Sequence, residues 1–174
     1  MPIAIKHFVQ VRWADTAEFH EVLTVAERLR DELNTEISQR AIAVAHAPRA
    51  HSTAVQASFI ATASELGFRS EAKGLFAAYE SRLRPDYFLP LGLTGILLEV
   101  ERGKTTTNNM DMLDFWKCHL CPSAHYLFLF VPQDLRHGET GFSERPFVAV
   151  TRRLATFFHP GNYTNVRALV IFGY

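Results

Sequence analysis

Apolar residues recur along this chain in two rhythms, and the change from one to the other divides it. From residue 16, Phe19, Val22, Leu23, Ala26, Leu29 and Leu33 return at three- and four-residue spacing, with Glu18, Glu21, Glu27, Arg28 and Arg30 between them. That period predicts an amphipathic helix of four or five turns. Before it, residues 3–11 read as a short strand or an arm. After it, the Ala-rich residues 41–50, with His46, Pro48 and Arg49, read as a connection. Ser52 or Thr53 can cap a second helix that carries Val55, Phe59, Ile60 and Ala63 and stops at Gly67.

From there the rhythm shortens to that of strands. Residues 75–81 read as the first strand, residues 84–89 as the second and residues 96–101 as the third, with residues 90–95 as the turn between the last two. Thr105, Thr106, Thr107, Asn108 and Asn109 offer cap chemistry for a helix running to about Leu120, ended by Pro122. Its apolar stripe reads as Leu113, Trp116 and Leu120, facing the sheet, with Lys117 on or beside it. Residues 126–131 are apolar on both faces, as in a strand buried between layers. A polar loop over 133–144, a helix over 145–158 and a buried strand over 166–172 complete the chain. There is no internal repeat and no low-complexity segment.

The third strand carries the chemistry. Alternation puts Ile96, Leu98 and Val100 on one face and Leu97, Glu99 and Glu101 on the other. Two carboxylates on a strand this apolar are costly unless something neutralises them. If the hairpin is centred between Gly92 and Leu93, residues summing to the same total lie opposite one another. Asp86 then faces Glu99, with Cβ atoms about 5 Å apart. Three acids so placed converge on one point. Hard oxygen donors of this kind suit Mg2+ or Mn2+, which activate water for attack on phosphorus.

Composition limits the partners. Eighteen basic and eighteen acidic residues give zero net charge, so no global basic field announces nucleic acid and any such contact must use local patches. The N-terminal residues show no signal-peptide pattern and no apolar run is long enough to span a bilayer, so the expected location is cytoplasmic, with no membrane partner. Two cysteines make no disulfide framework, in keeping with a reducing compartment.

Pro85-Asp86, a hairpin, then Glu99-x-Glu101 resembles the signature of the PD-(D/E)XK nuclease superfamily. Glu101 stands where the motif lysine is usual, as in BamHI-like enzymes, so the resemblance is to the E-x-E variant. It implies a restriction endonuclease-like fold, a three-layer α/β/α sandwich around a mixed sheet. The order α-β-β-β-α-β-α-β would occupy residues 51–174, with residues 1–50 as a helical extension, in one structural domain overall. It also implies a metal-dependent endonuclease acting on DNA ahead of RNA. Asp86 and Glu99 would hold the ion, and Glu101 would complete the site or orient the attacking water. Lys117, from the helix after the motif, or Lys104, at the loop edge, would stabilise charge on the phosphate. For a chain this short, cutting both strands implies a homodimer or a partner subunit. The other reading is a catalytically inactive module of the same fold that binds DNA or a partner protein, in keeping with zero net charge and the missing motif lysine.

Other residues are expected to be structural. In this superfamily the first core helix often lends an acid or a glutamine to the metal site, but solvated or capping roles are expected of Glu65 and Gln56. Arg102 points away from the glutamates, toward a salt bridge or a backbone phosphate. Cys118-His119-Leu120-Cys121 with His125 suggests zinc, but a structural zinc takes four ligands, usually from two paired motifs, and no second pair exists, so buried thiols are expected. His20, His46, His51, His137 and His159 carry no spacing signal.

Overall fold

A computed structural model describes residues 1–46, 52–70, 74–77, 79, 83–102, 105–137 and 142–174. Its centre is a six-stranded mixed sheet, built from β1 (Ala4–Val9), β2 (Arg69–Ser70), β3 (Tyr87–Leu91), β4 (Thr94–Val100), β5 (Tyr126–Val131) and a last strand, Ala168–Gly173. Between β5 and the last strand, Leu135–His137 (β6) and Phe142–Glu144 (β7) pair as a separate two-stranded sheet, so the last strand is β8. The strand order is β1-β8-β5-β4-β3-β2. β4, β5 and β8 run parallel, while β1, β3 and β2 pair antiparallel at the two flanks.

Parallel neighbours need crossovers, and helices supply them. α4 (Met110–Leu120) joins β4 to β5, and α5 (Pro146–Ala155) returns the chain from the small hairpin to β8. Both lie on one face, where Phe115, Cys118, Val150 and Leu154 pack on Leu97, Leu127, Leu129, Leu169 and Ile171. The other face carries α1 (Ala17–Leu33), α2 (Glu36–Ala45) and α3 (Ser52–Glu65). There Phe19, Val22, Leu29, Val55 and Phe59 meet Ile96, Leu98, Tyr126, Phe128, Phe130 and Phe172. The strands between these layers are greasy on both sides because both sides are covered. The result is an α/β/α sandwich in the expected order from α3 onward. No helix among the described residues is long and apolar enough to cross a membrane.

Local chemistry sets the helix limits. Thr16 caps α1 by accepting from the Phe19 amide, and Phe19, Val22, Ala26, Leu29 and Leu33 are all buried. α3 ends at Gly67, whose φ of 91° is open to glycine. The Phe68 amide reaches back to the Ala63 carbonyl and the Gly67 amide to Ser64, the paired bonds of a Schellman ending.

Five expectations differ from the structure. Residues 41–45 belong to α2, which Thr35 caps; residues 47–50 lie outside the described residues. Residues 75–77 form a turn that tucks Phe76 into the core, and the first strand of the trio is Arg69–Ser70 instead. Part of the expected loop over 133–144 is the β6–β7 hairpin. Asn109 starts α4 from a left-handed conformation, without a side-chain cap. Finally, Leu113, Trp116 and Leu120 are 40%, 50% and 37% exposed. The buried stripe of α4 is Asp111, Asp114, Phe115 and Cys118, with Lys117 beside it. α4 can turn charged residues inward because each finds a partner there. β1, α1 and α2 come from residues 1–46; β1 pairs with β8 and α1 packs into the core.

Truncation should separate the two faces of α4. Phe115→Ala should cost about 3–5 kcal/mol in urea unfolding, as for a buried ring. Leu113→Ala should stay within about 0.5 kcal/mol, as for a surface change.

Candidate active site

The β3–β4 hairpin turns at Gly92, whose φ of 55° suits glycine and whose surroundings are open. Leu91 then pairs with Thr94, Phe88 with Leu97 and Tyr87 with Leu98. This is the register expected from a turn centred between Gly92 and Leu93. One step further, Asp86 and Glu99 meet. The Asp86 amide donates to Glu99 Oε2 at 3.3 Å, and Asp86 Oδ2 accepts from the Val100 amide at 2.9 Å. Side chains thus continue the ladder where the backbone pairing stops.

Three further elements close on this point. From α3, Gln56 Nε2 donates to both Asp86 oxygens at 3.1 Å. From α4, Lys117 Nζ donates to Glu99 Oε1 at 3.0 Å and to Asp114 Oδ1 at 2.8 Å. From the end of β8, where Tyr174 follows the strand, the Tyr174 hydroxyl donates to the Glu101 carbonyl at 2.6 Å. The Glu101 amide continues the β4–β5 ladder by donating to Phe130, and its carboxyl bonds that of Asp114. Glu99 is 2% exposed and Asp114 fully buried.

Four acids therefore surround one lysine. Burial raises the Asp86 carboxyl above its usual range. Burial and the nearby Asp114 charge hold Glu99 well above it. The same two causes push Glu101 up to about 8, so at neutral pH it carries a proton and donates it to Asp114. Burial also raises Asp114, though its bonds to Lys117 and Glu101 oppose this. For Lys117 burial works against the ammonium, but Glu99 and Asp114 outweigh it and its pKa rises. The lysine is held charged and the surrounding acids are short of positive charge.

The acids are linked in a chain, from Asp86 to Glu99 and, through Lys117, to Asp114 and Glu101. The expected convergence of three carboxylates on one point is not the arrangement seen. Among the described residues, no three His, Cys, Asp or Glu side chains form a ready metal cage. The Lys117 ammonium stands between Glu99 and Asp114 and neutralises them in the protein alone. The donors nevertheless suit a hard cation, since every one is a carboxylate oxygen. Asp114 belongs to the same set, its carboxyl bonded to Lys117 and to Glu101.

Of the residues singled out by sequence, Asp86, Glu99, Glu101 and Lys117 are gathered here. Lys104 lies outside the described residues. Arg102 sits by Tyr174, whose hydroxyl its charge influences. Glu65 is exposed, in keeping with a solvated role, whereas Gln56 is neither solvated nor capping: it holds Asp86. Cys118 and Cys121 are buried and not joined in a disulfide. Asp114 was missed by sequence reasoning; its signal was the Asp-x-x-Lys spacing, which places both groups on one side of a helix.

A scan against protein-family models and a search of curated proteins returned no match. Among solved structures, the chain is similar to restriction endonuclease BglII complexed with a DNA 16-mer. The TM-score is 0.53 and the identity 11%, over 99% of this chain and 78% of that one. Its fold is restriction endonuclease-like. At that identity the likeness concerns the path of the backbone, and the restriction endonuclease-like sheet here places Asp86, Glu99 and Glu101 at the end of its central hairpin.

A pH titration of stability tests this electrostatic picture. Acids raised by folding bind more protons folded than unfolded, so the stability they supply is lost as pH climbs through the folded value. For Glu101 the window runs from 4.5 to about 8. The melting temperature of the metal-free protein should fall across it, and Glu101→Gln should flatten the fall. Lys117→Met, which strands two buried carboxylates, should cost about 3–5 kcal/mol at neutral pH.

Proposed function

We propose that this protein is a metal-dependent endonuclease that hydrolyses phosphodiester bonds, in DNA ahead of RNA. The observation that carries the reading is the hairpin register that sets Asp86 beside Glu99, with the Lys117 ammonium on Glu99 at 3.0 Å. The restriction endonuclease-like fold supports it, as does the DNA bound by the BglII structure to which the chain is similar.

Asp86, Glu99 and Glu101 would hold Mg2+ or Mn2+, which when bound supplies Lewis-acid charge at phosphorus and a more acidic water. The chain's own groups do the rest. Gln56 fixes both oxygens of Asp86, so that carboxylate needs no reorganisation when substrate arrives. Lys117 presents a fixed positive charge, already desolvated, near the position where charge develops on the phosphate. Glu101, with a pKa of about 8, can give up or take a proton close to neutral pH and is suited to orienting water. A single site cuts one strand, so cleavage of a duplex would take a second copy of the chain or a partner subunit.

One observation favours the inactive module. In the protein alone, Lys117 and Gln56 already bond the carboxylates that a metal would need. Supercoiled and linear DNA incubated with Mg2+ or Mn2+ decides between the two. The enzyme nicks only with the ion present, and Asp86→Asn, Glu99→Gln or Lys117→Met lowers the rate by about 10²-fold or more, as expected for preorganised charge. No nicking by the unaltered protein, or undiminished nicking by Glu99→Gln, rejects it. Binding of DNA without cleavage, and with no divalent-ion effect on the melting temperature, supports the module.

A further inference from the structure

α4 buries two aspartates on one face, Asp111 and Asp114, both fully out of solvent. They differ in how they are satisfied. Arg153 engages both oxygens of Asp111, donating from Nε to Oδ2 at 2.8 Å and from its terminal nitrogen to Oδ1. That forked pair ties α4 to α5 and leaves nothing over; it is a structural joint. Asp114 divides its bonds inside the site. Oδ1 accepts from Lys117 at 2.8 Å, and its carboxyl also bonds that of Glu101.

A buried carboxylate that makes no tie to another helix is a poor way to hold α4 down, because an apolar side chain would pack there without the desolvation cost. What Asp114 does provide is direction. Lys117 lies at the margin of the buried face, with its side chain 11% exposed. A lysine at such a margin can run its stem outward and place its ammonium in water. Asp114, three residues earlier on the same helix, bonds that ammonium from the helix side while Glu99 bonds it from the strand side. Two fixed acceptors on rigid elements define one position for a flexible four-carbon side chain.

We propose that Asp114 is the positioning residue of this site: it clamps the Lys117 ammonium against Glu99, making good the lysine that the strand lacks at Glu101. The clamp itself stands on geometry; its effect on cleavage rests on the hydrolytic reading above.

Two measurements test these parts separately. The first is the rate at which an amine-acylating reagent labels Lys117, followed by peptide mass spectrometry on the folded protein without metal. Asp114→Asn should raise that rate at least tenfold. Asp111→Asn, which breaks the Arg153 joint, should lower the melting temperature yet leave Lys117 protected. Equal labelling of Lys117 in the two variants overturns the clamp, whatever the protein does to DNA. The second is a double-mutant cycle in Mn2+-dependent nicking. Asp114→Asn should lower kcat with little change in KM, and adding it to Lys117→Met should bring no further loss, since one residue acts through the other. A further loss in the double variant overturns the link to Lys117. Faster labelling in a protein that never nicks DNA upholds the clamp and rejects the hydrolytic reading.

Discussion

An ammonium held between two buried carboxylates is the constraint from which the rest of this site follows. Taken separately, Glu99, Asp114 and Lys117 would each be expensive inside a protein, because removing a charge from water costs several kcal/mol even after relaxation. Together they are tolerated: Lys117 spans from α4 to β4, with bonds of 2.8 and 3.0 Å to the two acids. The bridge therefore fixes the rotation of α4 about its own axis. With Lys117 and Asp114 turned inward, Leu113, Trp116 and Leu120 must turn outward, and they do. Asp111 follows the same rule one turn earlier, accepted into the core because Arg153 meets it there.

The sheet supplies the rigidity that such a bridge needs. β4 is buried along its whole length between α1–α3 on one side and α4–α5 on the other, and β5 and β8 are covered in the same way. Glu99 cannot move without moving that strand. Asp86 is tied at both ends, its amide to Glu99 and its carboxylate to the Val100 amide and Gln56. The outcome is a preorganised patch of oxygen donors with more negative charge than Lys117 can balance. That imbalance holds Glu101 protonated near neutrality, bonded to Asp114. An added cation would relieve it.

Much of this was legible in the residues themselves, for identifiable reasons. The turn at Gly92 suggested a hairpin centred between Gly92 and Leu93, and on that assumed register Asp86 meets Glu99, as it does in the structure. Residues 126–131 were equally clear, since an apolar run covered on both faces has few other homes. The rotation of α4 was not legible. Periodicity weighs only greasiness, and Leu113, Trp116 and Leu120 are greasier than Asp111, Asp114 and Lys117, which are in fact buried. A charged side chain can be recognised as interior only once its partner is known, and Glu99 and Arg153 are distant in sequence from α4. The same blindness hid Gln56, whose partner Asp86 lies thirty residues away. Residues 75–77 misled for a simpler reason: Leu75, Phe76 and Ala77 have a strand's composition, yet they form a turn in which Phe76 plugs the core and Leu75 packs beside it.

The most direct measurement is anomalous diffraction from a crystal soaked in Mn2+. A peak bonded to Asp86 and Glu99, with Lys117 still resting on Asp114, is the expected result. Both carboxylates holding only Gln56 and Lys117 at saturating Mn2+, with no peak between them, would contradict a cation-dependent hydrolytic centre at this hairpin.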